Sequence, residues 1–217
     1  MQPTAFVQAH TRLAPVPFVP EIRLHLADDA IALWVSTEQE LPGGEQPPPF
    51  WAFAWAGGQA LARHLLDHPH LVRGQTVFDL AAGSGLVAIA AMKAGAAAVT
   101  ANEIDPLAAA AIRANAAANE VEVTALLDDR LAGDVGGAAV VLAGDVFYSG
   151  PMADRVLPFL ERAAARGATV LVGDPGRAYL PRSQFEPVGV YEVPVVRSLE
   201  DADIKTTTVW RPALPAT

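Results

Sequence analysis

The stretch TVFDLAAGSGLVAIAAMKAGAAAVTANEIDP, Thr76 to Pro106, decides the fold. Thr76-Val77-Phe78-Asp79-Leu80 is a short apolar, β-rich run that breaks at Ala81-Ala82-Gly83-Ser84-Gly85. A helix-forming run follows from Leu86 to Lys93, and Gly95 stands where a helix C-terminus favours a left-handed residue. Ala98-Val99-Thr100-Ala101 reads as a second strand, running into Asn102-Glu103-Ile104-Asp105-Pro106. Strand, glycine turn, helix, strand and acidic tip make one βαβ unit of a nucleotide-binding sheet.

Gly83 and Gly85 let the backbone turn sharply and approach a ligand with no Cβ between them. The helix that follows directs its N-terminal N–H groups at the turn. Glu103, at the second strand's tip, is positioned to accept hydrogen bonds from the two hydroxyls of a ribose, with Ile104 beside it.

Two ligands compete for this unit. Gly83-Ser84-Gly85-Leu86-Val87-Ala88 fits the dinucleotide fingerprint, which taken alone is a weak signal and leaves an NAD-dependent oxidoreductase open. Asp79 argues the other way. Dinucleotide strands run apolar into the first glycine, whereas an acidic residue at that point suits a ligand with a cationic end. S-adenosylmethionine has one, an ammonium beside a sulfonium, and is the favoured reading over simple capping of the turn by Asp79.

Composition narrows the classes. At 217 residues, 52% hydrophobic and 18% charged, the chain is long enough for one domain with a full core. It has no cysteine, so thiolate nucleophiles and Cys-ligated metals are excluded. A net charge of −9 disfavours nucleic acid, whose phosphates call for Lys and Arg, and suits a partner that offers lysines. Met1–Val7 shows no secretory signal or Arg-rich transit peptide, so a bacterial cytoplasm is the expected compartment. No apolar run reaches the roughly 18 residues of a membrane span.

Residues 1–49 read as an N-terminal arm with a short hairpin, and 50–217 as the main domain. Pro15, Pro17 and Pro20 keep the arm extended before Glu21–Leu26, which alternates like an edge strand; Ile31–Val35 is its expected partner. Leu41–Pro49 is a loop by composition. Phe50-Trp51-Ala52-Phe53-Ala54-Trp55 runs into a helix ended by Pro69, and as a bare aromatic cluster it reads as core, with a cofactor wall the alternative. His64, His68 and His70 lack an acidic partner and read as exposed helix-end residues, with no metal site.

Asp105-Pro106 is an N-cap with proline at the first helical position of a helix reaching about Asn119. Glu122–Leu127 is a third strand ending in Asp128-Asp129, one of which could accept from an adenine amino group or simply cap the turn. Ala138–Ala143 is a fourth strand, expected beside the first, so that Asp145 and Tyr148 face the cofactor. Met152–Ala164 is a helix and Thr169–Val172 a fifth strand. Val188–Val196 and Lys205–Trp210, separated by Glu200–Asp203, form a terminal hairpin.

With Asp145-Val146-Phe147-Tyr148 on the page, the chain resembles the seven-strand S-adenosylmethionine-dependent methyltransferases, and among them the D-x-F-Y protein lysine methyltransferases that act on the electron transfer flavoprotein β subunit. The resemblance covers about Phe50 to Pro212. It rests on WAFAWAGGQALARHL (Trp51–Leu65), DLAAGSG, ANEIDP, GDVFY, GDPGR (173–177) and TTTVW (206–210). It implies a three-layer, doubly wound α/β fold with a seven-stranded sheet, a C-terminal antiparallel hairpin and an N-terminal extension. It implies S-adenosylmethionine as cofactor, held by Asp79, Ala81, Gly83 and Gly85 at the methionine part, by Glu103 and Ile104 at the ribose, and by Asp128 at the adenine. Trp55 becomes a cofactor wall, Asp145 and Tyr148 the junction of donor and lysine, and the flavoprotein β subunit the protein substrate. One position departs: the family loop usually has glycine where this chain has Ala81, which restricts the backbone there.

Overall fold

The computed structural model describes residues 2–40, 47–196 and 202–213. The expected loop over Leu41–Pro49 is therefore described only from Pro47, and the charged turn Glu200–Asp203 only from Ala202; the rest of both lies outside the described residues. The chain runs through α1 (Pro3–His10), β1 (Arg12–Val16), β2 (Val19–Leu26), α2 (Ala30–Glu40), α3 (Ala56–Asp67), β3 (Thr76–Leu80), α4 (Leu86–Lys93) and β4 (Ala98–Glu103). It continues through α5 (Pro106–Ala118), β5 (Thr124–Leu127), β6 (Val140–Gly144), α6 (Gly150–Ala165), β7 (Thr169–Asp174), β8 (Phe185–Pro194) and β9 (Ile204–Pro212).

Seven strands form one sheet in the order β5-β4-β3-β6-β7-β9-β8. The first five are parallel, and β9 pairs antiparallel with both β7 and β8. The central strands are apolar on both faces because helices cover both. Val77, Val140, Leu142 and Leu171 pack with α3 and α4, while Phe78, Leu80, Val141 and Val172 pack with Val156, Phe159 and Leu160 of α6. Period-two alternation places Asp79 on the α4 side with Val77. The strand order reverses between β3 and β6, so a crevice opens at their carboxyl ends.

The N-terminal hairpin differs from the expectation. Its strands are β1 and β2, with Leu13 opposite His25 and Pro15 opposite Arg23. Ile31–Val35 belongs to helix α2 instead. Asp29 decides it: its Oδ1 accepts from Ile31 N at 2.8 Å and Ala32 N at 3.0 Å, an N-terminal cap that the β-branched residues beyond it do not overcome. The hairpin does not stand apart from the sheet. Val16, Val19, Ile22 and Leu24 are fully buried in the same cluster as α3 and α4. The free edge of β2 is met by two asparagines one turn apart, one on α5 and one at its C-cap: Asn115 Oδ1 accepts from His25 N at 2.7 Å and Asn119 Oδ1 from Arg23 N at 3.0 Å. His64 is also not an exposed helix-end residue; it is buried, with Nδ1 2.8 Å from the Tyr191 hydroxyl on β8. Among the described residues no helix is long and apolar enough to cross a membrane.

The first turn of α3 lies directly on the ends of β6 and β7. A Cβ at Gly57 would collide with the Gly173 carbonyl and come within 2.5 Å of Asp145 Oδ2, and one at Gly144 would lie 2.9 Å from Gly58 Cα. A Cβ at Gly58, in contrast, would find its nearest atom, Leu86 Cδ2, at a comfortable 3.9 Å. Gly57→Ala is therefore expected to lower the unfolding free energy by at least about 2 kcal/mol, since it overpacks against backbone. Gly58→Ala should be neutral or stabilising by up to about 1 kcal/mol through helix propensity. Denaturant melts of the two single variants check the contrast; equal losses would disprove the close approach.

Candidate active site

The chain leaves β3 at Leu80 and reverses through Ala81–Gly85 before α4. Three residues of this turn are left-handed: Ala81 at φ 50°, Gly83 at φ 54° and Gly85 at φ 79°. Ala81 thus keeps the conformation that glycine would adopt freely, and carries its strain. The turn is pinned on three sides. Ala82 N donates to Asn102 O on β4 at 3.0 Å, Gly83 N to Glu103 Oε1 at 2.8 Å, and Asn115 Nδ2 on α5 to Ser84 O at 2.8 Å.

Asp79 sits beneath this turn, 1% exposed. Its Oδ2 accepts from Ala88 N at 3.0 Å, in the first turn of α4, and its Oδ1 has no hydrogen-bond partner. Burial pushes its carboxyl up to about 8, partly opposed by the Ala88 N–H and reinforced by the nearby Glu103 charge. Glu103 is half-buried at the tip of β4. Besides Gly83 N, it accepts from Ile104 N at 2.9 Å, and burial is the main cause of its raised pKa. Ile104 itself is 68% exposed.

Asp128 and Asp129 diverge. Asp129 is bound to Arg155 of α6 at 2.6 Å, which takes it away from the crevice. Asp128 stays next to Glu103: its N–H donates to Glu103 O at 2.9 Å, and its own carbonyl accepts from the buried Asn102 Nδ2 at 2.8 Å.

On the other side of the crevice, Asp145 follows β6 at φ 56°, a left-handed position that an aspartate tolerates better than most residues and that commonly marks a functional turn. Both its oxygens are engaged. Oδ2 accepts from Gly58 N in the first turn of α3 at 2.9 Å, and Oδ1 from Arg177 Nη2 at 2.7 Å. Burial raises the Asp145 carboxyl to about 6, with Arg177 pulling the other way. Tyr148 is 50% exposed, and its pKa is raised by burial and then by the Glu103 charge. An aromatic rim links the two flanks. Phe50 lies 5.8 Å from the Tyr148 ring and 5.9 Å from that of Trp55, Trp55 Nε1 donates to Phe50 O at 2.8 Å, and the Arg177 guanidinium lies 5.8 Å from the Trp55 ring.

The structure therefore joins Asp79, the turn, Glu103, Ile104 and Asp128 along one side, and Trp55, Asp145 and Tyr148 along the other. Sequence reasoning gave Arg177 and Asp174 no site role, although GDPGR carried part of the resemblance, and read Phe50 only within the aromatic cluster. Asp174 is buried at the end of β7; its Oδ1 accepts from Gly176 N and Arg177 N, both at 2.7 Å, and its Oδ2 has no partner. The segment Gly173–Arg177 was legible only as a turn carrying two charges, and Asp174 closes that turn through the Gly176 and Arg177 N–H groups. A crevice with an unpaired buried carboxylate at one end and a carboxylate–guanidinium pair at the other can hold a cationic ligand and receive a second, basic one.

This sheet order, with β9 inserted antiparallel beside β7 and a glycine turn at the switch point, is that of the class I methyltransferases. A family model described as ribosomal protein L11 methyltransferase (PrmA) matches residues 60–146. The solved structure of a ribosomal protein L11 methylase from Lactobacillus delbrueckii subsp. bulgaricus superposes with a TM-score of 0.50 at 21% identity, covering 72% of this chain and 79% of that one. The electron transfer flavoprotein beta subunit lysine methyltransferase of Xenopus laevis is 37% identical over 214 residues, 96% of this chain and 86% of the relative. That of Homo sapiens is 34% identical over 213 residues, 95% and 80% respectively. The chain belongs to the family of electron transfer flavoprotein β subunit lysine methyltransferases.

The strain at Ala81 is testable. Ala81→Gly relieves a left-handed alanine but gives up a partly buried methyl group and adds chain entropy, so the unfolding free energy should change by between 0 and about +1 kcal/mol. A chemical-denaturation loss above about 1 kcal/mol would mean that methyl packing outweighs the strain.

Proposed function

We propose that this protein transfers methyl groups from S-adenosylmethionine to lysine side chains of the electron transfer flavoprotein β subunit. The observation that carries the donor assignment is Asp79 Oδ1, a buried carboxylate oxygen without a partner beside a left-handed glycine turn. Burial without a partner favours the neutral form of this carboxyl, pushed up to about 8, and a ligand ammonium would let it ionise and pair. The acceptor assignment is supported by relatives of that name that match 95–96% of the chain.

In this reading Asp79 faces the ammonium end of the donor, and the backbone of Ala81, Gly83 and Gly85 lies along its methionine part. Glu103 accepts from the ribose hydroxyls through its remaining lone pairs, with Ile104 flanking it, and Asp128, met by Arg130 only at 3.4 Å whereas Asp129 is bound to Arg155 at 2.6 Å, serves the adenine amino group. Trp55 walls the crevice. When bound, the donor would supply a sulfonium-linked methyl carbon that a neutral amine attacks in line, with the thioether sulfur leaving. The protein must hold that amine about 3–3.5 Å from the carbon and in line with the breaking bond. Asp145 accepts a hydrogen bond from the amine and orients it, while Tyr148 and Phe50 exclude water at the mouth. No covalent enzyme intermediate is needed.

The family-model match over residues 60–146 favours a second reading, with ribosomal protein L11 as acceptor. One assay separates them. Purified protein is incubated with isotopically labelled donor and either flavoprotein β subunit or L11, followed by peptide mass spectrometry. Label on lysines of the flavoprotein subunit is expected. Label on L11 alone would overturn the acceptor. A melting temperature raised by NAD and not by S-adenosylhomocysteine would overturn the donor.

Asp79 gives a separate test. Its folded pKa, about 8, lies above the ordinary 3.8, so the folded chain binds more protons than the unfolded one between those values. Its contribution to stability is thus full below pH 3.8 and is lost as pH rises toward 8. Asp79→Asn should flatten that decline in ligand-free melts while weakening S-adenosylhomocysteine by roughly tenfold or more, the loss of a charge-assisted contact. Unchanged affinity by calorimetry would remove Asp79 from the donor site.

A further inference from the structure

Resting on the lysine-methylating reading, we propose that Arg177 is the residue that keeps the acceptor lysine neutral, by holding a fixed positive charge against Asp145 at the acceptor end of the crevice. The geometry leaves Arg177 little freedom. Its backbone N–H is held by Asp174 Oδ1 at 2.7 Å, its guanidinium donates to Asp145 Oδ1 at 2.7 Å, and the same group lies 5.8 Å from the Trp55 ring. The side chains of Arg177 and Asp145 are 21% and 10% exposed, so water screens their charges weakly.

A lone Asp145 carboxylate would have the wrong effect on a lysine. It would bind the ammonium as an ion pair and hold the proton on it, and a protonated amine has no lone pair for the methyl carbon. Paired with Arg177, the carboxylate retains free lone pairs that can accept an N–H, while its net charge is cancelled. The amine then enters beside a neutral pair rather than an uncompensated anion. Cancelling the carboxylate's charge removes an attraction that would raise the amine's pKa by roughly 1–3 units, and desolvation against Trp55, Phe50 and Tyr148 then lowers it.

The remaining charges near this end are few. Asp174 is buried behind Arg177, and Arg182 stands against it, with Nη2 over Gly176. Glu103 lies across the crevice at the tip of β4, where its charge reaches Tyr148, and the first turn of α3 carries no acidic residue. Burial and Arg177 together leave Asp145 titrating at about 6, so it is ionised at neutral pH and available as an acceptor.

The step balances without a protein base. The lysine ammonium gives one proton to water as it enters. The nitrogen lone pair forms the N–C bond while the C–S bond breaks, its electron pair staying on sulfur. The methylated ammonium so formed leaves in its protonated state, so one proton is released per methyl transferred. Arg177 touches Asp145 rather than the reacting atoms, and is a positioning residue.

The test compares wild type, Arg177→Gln and Arg177→Lys on flavoprotein β subunit. For Arg177→Gln the ascending limb of the pH–kcat profile should move to higher pH by about 1–2 units. At pH 7 its KM should fall while kcat drops about tenfold or more, because the ammonium now binds as an ion pair. Arg177→Lys, which keeps the charge, should restore much of the profile. A structural role would lower kcat and raise KM without moving the limb, and that result would overturn the inference. Calorimetry on the wild-type protein with S-adenosylhomocysteine, in buffers of different ionisation enthalpy, keeps the inference falsifiable if Arg177→Gln fails to fold. Binding of the substrate at pH 7.5 should release about one proton per acceptor lysine, and binding without proton release refutes the inference. Wild type that leaves the subunit unmethylated refutes the parent reading, whereas methylation with an unmoved limb refutes only the role of Arg177.

Discussion

The contact of backbone on backbone at Gly57 and Gly173 is the constraint on which the rest depends. Helix α3 can lie on the tips of β6 and β7 only because neither chain carries a Cβ there. That approach brings Gly58 N within 2.9 Å of Asp145, so the positive end of the helix meets a carboxylate leaving the neighbouring strand. Asp145, once fixed, holds Arg177, and Arg177 lies over Trp55, the residue immediately before α3. The aromatic cluster, the strand tips and the helix start are thus fixed by one close approach, and a separation greater by the width of a methyl group would break this chain of contacts at its first link.

The electrostatics divide the crevice in two. Asp79, Glu103, Asp145 and Asp174 all have pKa values raised chiefly by burial. Grouping carboxylates in this way is unfavourable for folding and is a recurrent mark of functional sites. Their partners differ, however. Asp79 and Glu103 are held only by backbone N–H groups, whereas Asp145 has a guanidinium. The first pair is left short of positive charge and the second flank is supplied with it, so the two ends of one crevice suit a cationic ligand and an approaching amine respectively.

Much of this was legible from local chemistry. The run from Thr76 to Pro106 predicts β3, the turn, α4 and β4 because each boundary is marked by a residue with one dominant use, and Asp105 caps α5 as expected, accepting from Leu107 N at 2.8 Å. Features set by distant partners were not legible. Helix α2 begins at Asp29, whose capping competes with β-branched neighbours that read as strand. His64 is buried because β8, more than a hundred residues later, delivers Tyr191 to it. Arg177 lies 32 residues from Asp145, and nothing in its neighbourhood states that the loop after β7 folds back over the end of β6. The aromatic cluster was read as packing or as a wall, and both apply: Trp51 and Phe53 are buried, while Phe50 and Trp55 line the rim.

Asn115 has one further consequence. Its amide is shared between two elements far apart in the chain, receiving the His25 N–H with its oxygen and giving a proton to the Ser84 carbonyl with its nitrogen. The opening hairpin and the glycine turn are thereby two ends of a single buried amide, and trimming the first segment would not be a neutral shortening. It would strip the oxygen of its donor and expose the flank of α5, leaving the turn supported by a side chain newly free to rotate.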